Sequence, residues 1–303
     1  MAMRVATFAI SEQMIAAALR TQSTMANQQI QEASGVVSSD FAGYGSSTQQ
    51  ILNLQVSVTR SKSYIDAATQ ADSKIQVMYS TMSSVADLVT QLRSLLTSAS
   101  NVASTDSTSV TQSAQNMLQQ MASLLNTQYD GGYLFGGART SQAPVDVSSS
   151  AYSALTSPSS ADTSYYQGDD QLASVRVSDT QTVSYGVAAD NTAFEQALRA
   201  MNLVANNSPL STTTLNEALG LATSAVDAVG VVQSGISNAS SSIEQASAFQ
   251  TDYQSFATTL GSDLTSVDVA AVTAQLSTYQ AQLTASYAAI AKVQSLNLAS
   301  YLH

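Results

Sequence analysis

The chain has no cysteine, no tryptophan, three prolines and a single histidine, His303, at its last position. Without cysteine there is neither a disulfide framework nor a thiolate metal site. A lone histidine at a fraying terminus supplies no base for a Ser–His–Asp triad and no zinc ligand set, unless that end folds back. Positive charge is as scarce: ten Lys and Arg against 21 Asp and Glu, a net charge of −11 over 303 residues, and charged residues at only 10%. A phosphate footprint needs clustered cations, so nucleic acid is not an expected partner. No run reaches the ~18 consecutive apolar residues of a membrane span. The opening MAMRVATFAISEQMI has no continuous apolar core and no small-residue cleavage site. Neither membrane insertion nor a cleaved signal peptide is expected.

What remains is Ser, Thr, Gln, Asn and Ala, threaded by apolar residues at threes and fours. The stretch that organises the rest runs from Asp268 to Leu298. Leu276, Leu283 and Ile290 recur at sevens, Tyr279 and Val293 fill the alternate slot, and Tyr287 and Leu298 widen the stripe. Such spacing keeps one seam facing a partner helix. The opposite face is small and uncharged, where a solvated helix would carry Lys and Glu. This is the pattern of a helix meant to be surrounded, either in the core of an all-α domain or in an assembly. One seam does not offset the entropy of ordering its own helix, so partners are needed on more than one side.

From about Val5 to Ala33 a weaker stripe runs through Phe8, Ile15, Leu19, Ala26 and Ile30, with an almost uncharged remainder, and makes the two ends natural partners. Gly35, Gly43 and Gly45 break it. Residues 46–100 contain no Gly or Pro and alternate threes and fours from Ile51 to Leu95. That is one helix of about 55 residues, roughly 80 Å long. A shorter helix follows from about Ser109 to Gln128, ended by Asp130-Gly131-Gly132. Ala173–Val177 and Thr182–Val187 read as short strands around a Ser178–Gln181 turn. Asp169-Asp170 without further ligand spacing reads as a surface turn, and no metal is expected. Asn191 caps a helix to about Asn206. A second very long stripe of about 50 residues spans Ser211–Leu260, with Gly220, Gly230 and Gly235 inside it as weak points. It nearly matches the first long helix and can pack along it, and the heptad phase slips over 261–267.

The expected fold is mainly α: a long antiparallel helical coiled-coil bundle with its termini paired, plus a small inserted β-containing domain. Residues 1–45 and 261–303 form a terminal coiled-coil domain, 46–137 and 191–260 a long-helix bundle, and 138–190 a small β-rich outer insertion at the far tip. Terminal helices this uncharged suggest a polymer subunit whose end seams are buried only in the polymer. The expected assembly interface is Phe8, Ile15, Leu19, Leu276, Tyr279, Leu283, Tyr287, Ile290, Val293 and Leu298.

This nesting resembles bacterial flagellin and its hook–filament junction relatives of the FlgL type. LTASYAAIAKVQSLNLASYL (Leu283–Leu302) is similar to the closing segment of the junction family. YLFGG (Tyr133–Gly137), then Thr140, Pro144 and Tyr165-Tyr166, resembles that family's entry into its outer domain, and Val183–Leu203 resembles the exit. Ser262–Leu276 is similar to the joint between inner and core helices in flagellins. One departure is the link ASGVVSSDFAGYGSS, where a lone Asp40 stands in place of the paired aspartates of many relatives. The resemblance implies an extracellular, non-enzymatic component of the bacterial flagellum without cofactors. It implies export through the flagellar type III apparatus, an export chaperone on the C-terminal helix, and assembly with itself, with a hook-side junction protein and with flagellin. A filament-forming flagellin is the alternative. A secreted adhesin or enzyme using the β insertion is more remote, with Tyr165-Tyr166 as thin support for sugar binding.

Overall fold

The computed structural model describes residues 2–101 and 107–295, with side chains over 9–100 and 107–294. The described residues form six α-helices: α1 (Ala2–Ser34), α2 (Thr48–Asn101), α3 (Ser107–Leu125), α4 (Thr192–Ala205), α5 (Thr212–Thr265) and α6 (Val269–Ser295), with a short 3-10 helix at Phe41–Ser47. Two antiparallel hairpins are added, β1–β2 (Gln128–Tyr129 with Gly132–Tyr133) and β3–β4 (Ser174–Arg176 with Thr182–Ser184). The mainly α reading with a small β element is what the chain adopts.

The chain divides into two compact units, Met1–Thr59 with Gln254–His303, and Arg60–Tyr253. Both divisions fall inside long helices, not at the glycine-rich links that the sequence pattern marks. α5 is the one long helix that its stripe predicts, and two further boundaries differ from expectation. α5 runs unbroken through Gly220, Gly230 and Gly235, where a Cβ would meet nothing within 4 Å. It continues to Thr265, so the joint before α6 shrinks to Ser266–Asp268. Asp130 and Gly131, both at positive φ (51° and 75°), make the two-residue turn of β1–β2. The sequence pattern marks those residues only as a helix end, although Asp-Gly between short extended runs is the signal for such a turn.

The second unit holds the main core. α2 contributes Ile75, Met78, Met82, Val85, Val89, Leu92, Leu96 and Ala99, an unbroken alternation of threes and fours, all buried. α5 answers with the smaller Ala218, Ala222, Ala225, Val229, Ile236 and Ile243 in the same cluster. Large side chains on one helix and small ones on the other let the seams interdigitate at core density. Hydrogen bonds from Ser61 to Gln250 (2.9 Å) and from Ser240 to Asp72 (3.2 Å) fix the two helices as antiparallel. α4 is buried almost all round, which marks it as the central helix of this unit. Asn191 caps it by accepting from Ala193 N (3.0 Å).

Residues 138–190 do not stand apart as an outer domain. Val145, Tyr152, Tyr165, Val175, Val177 and Tyr185 belong to the same core cluster as α2, α4 and α5. Most of this segment is coil, so its backbone polar groups need partners, and helix side chains supply them. Asn202 accepts from Leu155 N (2.9 Å) and donates to Ser153 O (3.2 Å), and Asn207 donates to Leu155 O (2.9 Å). Glu195, itself buried and paired with Arg199 at 3.1 Å, accepts from Asp162 N (3.1 Å). The β3–β4 tip is clamped where Asp179 accepts from Tyr64 (2.8 Å) and Arg60 (2.9 Å). Those bonds hold the Asp179 carboxyl below its ordinary range.

Glu217 on α5 holds the coil around Ser157–Ser159 like a strap, accepting from the Ser157 and Ser159 hydroxyls (2.5 Å each) and from Ser159 N (2.8 Å). Burial pushes its pKa up, but these bonds outweigh burial and hold it below the ordinary 4.5. A depressed folded pKa gives stability that is present above the unfolded value and lost as pH falls through the folded one. Amide exchange at Ser159, corrected for its intrinsic pH dependence, is therefore expected to accelerate as pH drops below about 4.5. Glu217→Gln should show fast exchange already at neutral pH. An unchanged rate from neutral to acid pH would mean that Glu217 does not hold the strap.

Candidate assembly interface

In the first unit, α1 and α6 pack as an antiparallel pair. Their register is fixed near the joint by Val37 N to Thr265 O (2.8 Å) and Val267 N to Gly35 O (3.0 Å). Gly35 follows α1 at φ 70°, the left-handed conformation that lets the chain turn out of the helix. Asp268 caps α6, accepting from the backbone of Ala270 (3.0 Å) and Ala271 (3.1 Å). Further along, Thr273 donates to Glu32 (2.8 Å) and Gln28 donates to Gln275 (2.5 Å). Continued residue for residue, this register sets Thr21 beside Leu283 and Met14 beside Ile290.

The structure divides the expected interface residues into two sets. Leu276 and Leu283 are buried, and Tyr279, Ile290 and Val293 are half-buried, together with Val272 and Ser286 at the same alternation of fours and threes. This is the α6 seam, and it is already used against α1 within one chain. The expectation that it is buried only in the polymer is corrected on that point. Ile15, Leu19 and Tyr287 are instead exposed, at 40%, 60% and 51%. Leu298 and the side chain of Phe8 lie outside the described residues.

On α1 the inward face is not the apolar stripe. Met14, Ala18, Thr21, Met25 and Gln28, spaced by fours and threes, are buried or half-buried. The stripe of Ile15, Leu19, Ala26 and Ile30 lies on the exposed side, with Ile30 61% exposed. Sequence reading missed the inner seam because Thr21 and Gln28 break up its Met14, Ala18 and Met25, while the outer one is aliphatic. The signal was present in the strict spacing of positions 14, 18, 21, 25 and 28, at the cost of accepting Thr and Gln as seam residues.

Exposed apolar side chains concentrate in this unit, although it is the smaller. Among the described residues they include Ile15, Leu19 and Ile30 on α1, Leu52 and Val56 on α2, Phe256 on α5, and Val269 and Tyr287 on α6. A monomer seldom leaves so many large hydrophobics clustered and uncovered. The described residues hold no group of three or more His, Cys, Asp or Glu arranged to bind a metal. The arrangement suits packing against other chains.

Comparison with known proteins agrees with this architecture. Residues 5–140 match the model for the bacterial flagellin N-terminal helical region. A solved structure assigned as a flagellar hook-associated protein, from Vibrio parahaemolyticus, is 16% identical, with a TM-score of 0.60 over 72% of this chain and 97% of its own. Flagellar hook-associated protein-3 from Legionella pneumophila is 14% identical, with a TM-score of 0.58 over 71% of this chain and 98% of its own. No curated protein matches the chain. Over residues 5–140 the chain is thus similar to the N-terminal helical region of flagellins. Its fold resembles that of the two flagellar hook-associated proteins.

Proposed function

We propose that this chain is a structural subunit of the bacterial flagellum that joins hook to filament. It acts by helix packing, not by catalysis. The observation that carries this reading is the outward stripe of α1, where Ile15, Leu19 and Ile30 face solvent although α1 already has a partner in α6. Covering each such side chain is worth about 1–2 kcal/mol, repeated at every subunit contact. The partners on this reading are further copies of the chain, a hook-side junction protein and flagellin. Export runs through the flagellar type III apparatus, with a chaperone holding the C-terminal helix until assembly. A junction subunit must match hook on one side and filament on the other, so its stacking on itself is poor.

Deleting the gene is expected to leave cells with hooks but no filaments, and with flagellin lost to the medium. Electron microscopy and analysis of the culture supernatant check both. Finding the protein as the major subunit along micrometre-long filaments would overturn the junction role in favour of a filament flagellin.

A further inference from the structure

The first unit carries a groove of about 430 Å³ between α2 and α5. Ile51, Leu54 and Val58 line it from α2, and Ala257, Gly261 and Thr265 from α5. No lining residue is charged. Gly261 leaves its floor open, since a Cβ there would meet nothing within 4 Å. In the second unit α2 and α5 share one core with α4 and the β3–β4 hairpin, and Gln250 of α5 donates to Val177 O (3.3 Å). In the first unit Ile51 and Ala257 are buried at the base of the groove, while Leu54, Val58, Gly261 and Thr265 are half-buried along it.

We infer that this groove receives the outer face of α1, around Ile15 and Leu19, from a second copy of the chain. The inference rests on the self-assembly proposed above and names the contact that carries it. Three observations select this occupant. First, the groove is apolar and neutral, so a charged occupant would strand its charge without a partner. The outer stripe from Ile15 through Leu19 and Ala26 to Ile30 is also apolar and neutral. Second, Ile15 and Leu19 sit one helical turn apart, and Ile51, Leu54 and Val58 span about 10 Å of α2. An aliphatic pair at that spacing fits a slot of that length. Third, the stripe is excluded from its own chain's seam, because the inward face of α1 is committed to α6 through Met14, Ala18 and Met25. A second copy supplies the stripe at the same stoichiometry as the groove.

The absence of cysteine makes the contact directly testable. Full-length Leu19→Cys protein is mixed with full-length Gln55→Cys protein, Gln55 being an exposed residue on the groove rim. Both are oxidised mildly under assembly conditions. The mixed disulfide is expected to form at least about tenfold faster than that of Leu19→Cys with Tyr79→Cys, an exposed position in the second unit. Equal rates for the two mixtures would overturn the contact. So would dominant Leu19→Cys homodimers, which would show α1 stripes packing on one another. The deletion phenotype is independent of this result: hooks without filaments together with no selective disulfide would retain the junction role and discard the groove.

Discussion

Replacing Leu283 with Asp is expected to abolish incorporation into flagella while leaving the second unit's thermal transition within about 2 °C of the parent. Leu283 is 7% exposed in the α6 seam, beside the uncharged inner face of α1. A carboxylate there has no cation to meet, and burying it unpaired costs several kcal/mol. The α1–α6 pair is held by few buried side chains and cannot absorb that loss. The second unit has a separate core, and Leu283 does not belong to its cluster. Tyr287→Asp is the informative partner variant. Tyr287 is half-exposed within one chain, so α1–α6 pairing should survive in circular dichroism while incorporation still falls. If Leu283→Asp lowers the second unit's midpoint by many degrees, α6 is part of an ordinary cooperative domain and its seam has no special place in assembly.

The elements legible in the sequence were those whose own pattern decides them. α2 and α6 alternate apolar residues so strictly that periodicity alone fixes their faces. Asn191 announced α4, and Ser178–Gln181 announced the turn between β3 and β4. What could not be read was decided by neighbours distant in sequence. The inner face of α1 mixes Met14 and Met25 with Ala18, Thr21 and Gln28, and no local rule picks such a mixed stripe over an aliphatic one. The strap over 146–165 has almost no periodicity, since its backbone groups are satisfied by Glu195, Asn202 and Glu217 on two helices far along the chain. For the same reason residues 138–190 looked like a separate domain. A composition shift marks a change of secondary structure, but it does not say whether the new segment builds its own core or completes an existing one.

Phe194→Ala decides between those two alternatives. Phe194 on α4 is fully buried, and its ring meets Phe135 edge-on, with centroids 6.3 Å apart and planes at 77°. Phe135 belongs to the YLFGG run that leads into the β-containing segment, so the pair ties that segment to the central helix. Truncating a buried Phe costs about 3–5 kcal/mol. In a unit of this size each kcal/mol lowers the midpoint by about 2–4 °C, so a fall of about 10 °C is expected. The same truncation should release the strap. Tyr152 and Tyr165 pack edge-on at 5.3 Å, and Tyr165 donates to Ala189 O (3.0 Å) just ahead of α4. Their immobilised rings give a near-ultraviolet signal from the 138–190 segment, whereas the far-ultraviolet signal reports the helices. With one shared core, both signals fall at the same lowered temperature, the mark of a single cooperative transition. With a separate outer domain, the tyrosine signal would melt at its own midpoint and leave the helical transition of the variant unaccompanied.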